Sequence, residues 1–374
     1  MRKVSKGENL TLKTNLRSIG GMLAVMLLAA APMAADEDEH GRDVLVLTST
    51  NNATTNDVVV FKLNPASAAS LSLVSMLATG GAGGASGNAG ALQFRDESGA
   101  VANYGSNTVS KLARIGDSIS VAGTVKLAPN CVKPVSVALT EGHLFVVGAN
   151  CAESHAFPSG NVDGTVVPLT NASAAQIAVG QSWAGVTMGS GGAAAGSGVV
   201  LQLLLTGGGA LNGTSAVVPL PSNANMAPLG AAFWGDLMGF NPAHSPDSFA
   251  LVNKSGTVFP VVGPAPPYPT NAPCWLAKGP GNLWYSGNSP GHAVSTFFSD
   301  GQGGAFYKSV ALGGAPTDIT VSRDRKWLAV IYTATDGSGG HVAVFSIDAY
   351  GDLALVATSG PIGVASFNGV AISE

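Results

Sequence analysis

DVVVFKL (57–63), NTVSKL (107–112), GTVVPL (164–169), SAVVPL (215–220), GTVFPV (256–261), HAVSTF (292–297) and HVAVFSI (341–347) are seven versions of one short apolar strand. Each follows a turn rich in Asn, Gly and Ser. A unit that returns every 20–50 residues builds a stacked or radial array, because one unit cannot bury its apolar face alone.

A second register supports the first. AGALQF (89–94), PVSVAL (134–139), WAGVTM (183–188), PLGAAF (228–233), PCWLAK (273–278), PTDITV (316–321) and FNGVAI (367–372) read as the inner strands of the same units. Their third residues are Gly90, Ser136, Gly185, Gly230, Trp275, Asp318 and Gly369, with steps of 46, 49, 45, 45, 43 and 51 residues. Steps of that size match a four-stranded propeller blade. HLFVVGA (143–149), VVLQLLLTG (199–207), SFALVN (248–253) and WLAVIYT (327–333) supply the strand after the inner one, and runs such as AAQIAVG (174–180) read as outer strands. Near 221–227 and 263–272 the outer strand reads as short or absent, and PAPPYP (264–269) cannot join a ladder because Pro lacks an N–H. VLVLTST (44–50) reads as a second strand, so FNGVAISE (367–374) has to supply the first strand of that blade. The expected fold is all-β, a seven-bladed β-propeller over 43–374 closed by its own termini.

Composition agrees with that reading. The 374 residues include 50 glycines and only 11 % charged residues, with a net charge of −4. No basic patch suits a phosphate backbone, so nucleic acid is not an expected partner. Residues 1–35 read as a signal peptide: Arg2, Lys3, Lys6, Lys13 and Arg17 precede the apolar MLAVMLLAAA (22–31) and the small residues PMAA (32–35). Ten apolar residues are too few to span a bilayer, which takes about 20. An acidic arm, 36–42, follows, and the mature protein is expected in the periplasm or outside the cell, with no membrane span after cleavage. Such a compartment permits a disulfide, and of three cysteines Cys131 and Cys151 flank the first two strands of one unit on one face. Cys274 reads as a small buried residue.

VANYGSNTVSKL (101–112), followed by GDSISVAGTVKL (116–127), resembles the YVTN-type propeller repeat. LTSTNNATTNDVVVFKLN (47–64), TGGAGGASGNAGALQF (79–94), APCWLA (272–277) and GAPTDITVSRDRKWLAVIYT (314–333) are similar to blades one, two, six and seven of lactonase-like propellers. That family includes carboxymuconate cyclases and 6-phosphogluconolactonase-like proteins. The resemblance implies a ligand at the central channel, on the face carrying the loops into the inner strands, and a lactone chemistry built from His, Glu and Arg.

The chain offers little of that set. Arg95, Arg323 and Arg325 fall in turns of the opposite face and Arg114 in an outer hairpin. The polar stretch CAESHAFPSGNVDG (151–164) reads as an upper-face loop, and its Glu153 and His155, with Asp318, are the candidate acid–base residues. Trp275 is a ligand-stacking residue or a plug of the channel. Asp318 is a channel acid or a cap of nearby backbone N–H groups. Ser136, His292 and His341 are further candidates for ligand contact, and His244 lies in an equivalent loop. No HxH, HxxxH or CxxCH spacing is present, so neither a metal nor another cofactor is expected. These features suggest a scaffold that binds a small molecule or a protein at the channel mouth; the alternative is a lactone hydrolase or carboxymuconate-type cyclase with a diverged site.

Overall fold

Seven four-stranded antiparallel sheets follow one another around a central channel. The computed structural model describes residues 42–65, 70–170, 173–189, 198–221, 227–243, 249–261, 273–362 and 367–374. The stretch expected to be a signal peptide, the expected acidic arm up to Gly41, His244 and PAPPYP lie outside the described residues. Among the described residues there is no helix, and hence none long and apolar enough to cross a membrane.

The inner strands, in blade order, are Asn368–Ser373, Leu92–Arg95, Ser136–Leu139, Ala174–Val179, Pro228–Trp234, Pro273–Lys278 and Gly314–Val321. Blade 1 is completed by Val44–Ser49, Asn56–Asn64 and Ser70–Gly81. Its inner strand comes from the far end of the chain, with Val46 opposite Ile372 and Leu47 opposite Ala371. The closure expected from FNGVAISE is therefore present.

Most strands read as continuous apolar runs because both faces are buried against neighbouring blades. Alternation along one strand divides its side chains between two cores. In blade 1, Leu45, Leu47, Val58 and Val60 pack on Leu92 and Val101 of blade 2. Val46, Val59 and Phe61 pack on Ile331, Val342 and Val344 of blade 7. Each of the other five pairs of adjacent blades has an equivalent cluster.

Buried polar residues recur with the blades. Asn103 closes the blade 2 hairpin by donating from Nδ2 to Ser110 Oγ at 2.8 Å, and Asn288 does the same to Ser295 in blade 6 at 2.7 Å. Both serines are the fourth residue of their repeat, NTVSKL and HAVSTF. The first residues of those repeats, Asn107 and His292, both take positive φ, +55° and +46°.

Several assignments differ from the sequence reading. In blade 4 the inner strand is Ala174–Val179, and WAGVTM (183–188) is the second strand. The ring residue is thus Gln176, not Gly185, whose missing Cβ would fall on Met238 Sδ of blade 5. VVLQLLL (199–205) and FALV (249–252) then become third strands. GTVVPL, SAVVPL and GTVFPV belong to the outer strands of blades 3, 4 and 5, which are Val167–Pro168, Leu211–Val218 and Val258–Val261. The blade 4 outer strand is neither short nor absent. All three of these copies carry Pro at the fifth place, Pro168, Pro219 and Pro260, and the other four do not. Pro has no N–H to give a ladder on both sides, so it is confined to an edge.

Gly369 sits where the termini close the ring, with φ +79° and its missing Cβ aimed at the backbone of Leu92. Gly369→Ala is expected to destabilise the protein by more than about 1 kcal/mol, from the backbone conformation alone before any clash. Urea unfolding of the two proteins measures this directly; an unchanged midpoint would show that the closure is not tight there.

Candidate functional site

The channel is walled by the inner strands, and its described cavity of about 260 Å³ runs from Gly90 and Asp318 to Ser322, Arg323 and Arg325. Along it, side chains tie several blades to one another. Ser136 Oγ donates to Gly90 O (3.2 Å) and accepts from Ile177 N (3.3 Å). Gln176 Oε1 accepts from Ala231 N at 2.6 Å. Ser136 is thus fully buried and occupied within the ring.

Asp318 is the acid of this ring. Its Oδ2 accepts from Gly90 N at 2.9 Å and its Oδ1 from Ile319 N at 2.8 Å. Burial pushes its carboxyl up to about 7, against the pull of the N–H groups of Gly90, Ile319 and Val370. Those three residues belong to blades 2, 7 and 1, so one carboxyl joins the last blade to the first two. Asp318 is both a channel acid and a backbone cap.

Trp275 donates its indole N–H to Asn88 O at 3.4 Å, reaching from blade 6 to the chain that leads into blade 2. Asn88 in turn accepts from Asn368 Nδ2 at 3.0 Å and donates to Val135 O. This network spans one end of the channel.

The other end carries the charge. Lys278 is buried, with Nζ donating to the carbonyls of Gly279 (2.9 Å), Gly281 (2.6 Å) and Leu283 (3.1 Å). The rings of Trp234 and Trp284 flank it, each with its centroid 5.3 Å away. Burial first, and then Arg325, bring its ammonium down to about 8. Arg325 donates to the Lys278 carbonyl, and Arg323 pairs with Asp96. A neighbouring hollow of about 420 Å³ adds Arg95, Asp96 and Glu374 to this mouth. The arginines lie in the turns expected of them, but those turns border the channel.

The other sequence candidates are dispersed. CAESHA (151–156) is the third strand of blade 3 rather than an upper-face loop, and Glu153 and His155 are fully buried in it. Alternation turns both toward blade 2, where Glu153 Oε2 accepts from Ala128 N at 2.9 Å. His155 Nε2 meets Glu153 Oε1 at 2.8 Å, and His155 Nδ1 meets Gly160 O at 3.0 Å. The structure brings this pair together but away from Asp318 and the channel lining. The sequence hid the strand because its residues are polar; their period of two was the available signal. Cys131 and Cys151 are joined, with Cα atoms 5.4 Å apart. His292 serves the blade 6 hairpin through its backbone, donating to Ser289 O and accepting from Leu312 N. His341 stacks on Tyr332 and is held between Ser359 O and Ser338 Oγ, each at 2.9 Å.

No protein-family profile matches the chain, and no curated protein matches it in sequence. Solved structures match its architecture. A candidate 6-phosphogluconolactonase from Bacteroides fragilis superposes with a TM-score of 0.64 at 12 % identity, over 91 % of this chain and 100 % of its own. A second, from Bacteroides uniformis, gives 0.61 at 14 % identity, over 87 % and 99 %. A streptogramin B lyase gives 0.56 at 16 % identity, over 76 % and 87 %. The chain shares the β-propeller fold of these proteins. At these identities the likeness concerns architecture; the channel residues have to be judged on their own chemistry.

The raised Asp318 carboxyl has a definite linkage. The folded state holds its proton between about pH 4 and 7 where the unfolded chain releases it, so Asp318 makes stability fall as pH rises through that window. Asp318→Asn removes the titration and leaves a constant offset from the altered hydrogen bonds. The stability of the wild type relative to Asp318→Asn is therefore expected to decrease between pH 5 and pH 8. Urea unfolding at both pH values tests it, and a difference independent of pH would overturn the assignment.

Proposed function

We propose that the protein is an exported binding module whose channel holds a small anionic or lactone-like molecule at the arginine-bearing mouth. The observation that carries this reading is the make-up of the cavity: Arg323 and Arg325 line it together with Gln93 and Thr320, opposite a single acid, Asp318. A carboxylate docked there would meet the guanidinium of Arg325 and would compete with Asp96 for that of Arg323, and guanidinium groups recognise planar oxyanions well. The Glu153–His155 pair is fully buried in the sheet and does not line the cavity. Export is supported by the basic and apolar N-terminal stretches and by the Cys131–Cys151 bond.

A second reading, a lactone hydrolase or carboxymuconate-type cyclase, has one specific support. A carboxyl at about 7 inside a channel can give or take a proton at neutral pH. In that case Asp318 is the proton-transfer residue and the arginines hold the substrate carboxylate or the developing oxyanion.

Isothermal titration of the purified protein with a panel of lactones, muconates, phosphosugars and a streptogramin B separates the two. The binding reading expects saturation at one site without turnover, and a loss of about tenfold or more in affinity for Arg323→Ala, the equivalent of ~1.4 kcal/mol for one charged hydrogen bond. Turnover that disappears in Asp318→Asn would favour the enzyme. No heat with any member of the panel, or binding that Arg323→Ala leaves unchanged, would remove the arginine mouth from the binding reading.

A further inference from the structure

Outside the channel, three ligand-type atoms gather between blades 2 and 3. Cys131 Sγ, Cys151 Sγ and a carboxylate oxygen of Glu153 all lie within 4.8 Å of one another. All three residues are buried. Period-two geometry in the third strand puts Cys151, Glu153 and His155 on one face, so C-x-E-x-H is a row of metal-binding residue types. In the structure the two sulfurs are bonded to each other.

Hydrogen bonds separate from that bond also hold the surroundings. Asn150 holds the Cys131 loop from both sides, donating to Asn130 O at 2.6 Å and accepting from Val132 N at 3.1 Å. Backbone bonds from Gly148 N to Cys151 O and from Ala149 N to Val132 O, each 2.9 Å, fix the same two segments. Glu153 is aimed by Ala128 N and by His155. His155 Nδ1 lies 3.0 Å from Gly160 O and its Nε2 2.8 Å from Glu153 Oε1, so the ring is held between the two. A histidine bonded to a ligating carboxylate is a usual outer partner of a metal ligand. The loop residues Pro129 and Asn130 beside Cys131 are exposed, which gives an ion a short way in.

We propose that reduction of the Cys131–Cys151 bond converts this cluster into a site for a thiophilic divalent ion of the zinc type. The thiolates of Cys131 and Cys151 and the carboxylate of Glu153 are the ligands, His155 positions Glu153, and water completes a tetrahedron. Two thiolates favour such an ion over magnesium or calcium. With zinc–sulfur distances of about 2.3 Å in a tetrahedron, the two sulfurs have to separate to about 3.7 Å once their bond is broken, and the Glu153 oxygen already lies within 4.8 Å of both. In the first step a dithiol reductant supplies two electrons and two protons: the S–S bond breaks, both protein sulfurs become thiols, and the reductant closes to its own disulfide. In the second, the ion binds both sulfurs and their two protons pass to solvent. The covalent cross-link of the oxidised protein is thereby replaced by a coordinate one.

The test uses Co²⁺ as probe, under anaerobic conditions, on the full chain carrying Cys274→Ser so that only the two cysteines of the site report. The dithiol-reduced protein is expected to take up one Co²⁺ with a thiolate-to-metal charge-transfer band, to lose that band on addition of Zn²⁺, and to release two protons per ion. The oxidised protein is expected to show no band. Glu153→Gln is expected to weaken binding at least tenfold while keeping the band, and Cys151→Ser to abolish it. Circular dichroism accompanies each titration. A reduced, folded protein without the band would overturn the proposal, as would equal affinity in Glu153→Gln. Loss of the native circular dichroism on reduction alone would overturn it too, since the site needs the folded strand.

Discussion

Everything in this molecule depends on one strand pairing, that of Asn368–Ser373 with Val44–Ser49. It joins residues more than three hundred positions apart, so its loop-closure entropy is met only when all the intervening blades are in place. Both neighbouring cores draw on it: Val370 and Ile372 face blade 7, and Ala371 faces blade 2. Exposing a large buried aliphatic side chain costs about 1.5–3 kcal/mol. Opening the closure would expose several at once, Val46, Leu47, Val370 and Ile372 among them, and so would rival a whole domain's net stability of ~5–15 kcal/mol. The ring is therefore either closed or lost.

That closure also explains the chemistry of the channel. Where the last blade meets the first, Gly369 leaves room beside Leu92, and the Asp318 carboxyl gathers N–H groups from three blades. An acid used in this way needs no cation beside it, and burial keeps its proton in place up to about neutral pH. The cations collect at the other end, where hairpin turns leave room for Arg323 and Arg325 and where two tryptophans hold Lys278. The Glu153–His155 pair belongs to a separate place, the interface of blades 2 and 3 under the Cys131–Cys151 bond. The fold thus keeps two groups of reactive side chains apart.

The sequence and the structure agree where a local pattern has one cause. Turn chemistry and strand spacing identify the blades, and VLVLTST with FNGVAISE identifies the closure. They part where one pattern has two causes. GTVVPL has nearly the apolar signature of NTVSKL, but Pro168 keeps it on an edge while the ordinary-looking CAESHA runs inside. AAQIAV and WAGVTM could each be an inner strand on composition, and only packing against Met238 and the ring partner Ala231 distinguishes them.

By itself, then, the sequence determined the blade number, the closed ring, the cysteine pair and the side of the molecule that carries the arginines. All of these follow from periodicity and turn residues, which act over a few positions. Tertiary structure alone decided that the arginines border the cavity, that Gln176 completes the ring, and that Glu153 and His155 are sealed beside the two cysteines. Those facts depend on which blade faces a side chain. A shift of one residue in register reverses that facing, and no local pattern encodes it.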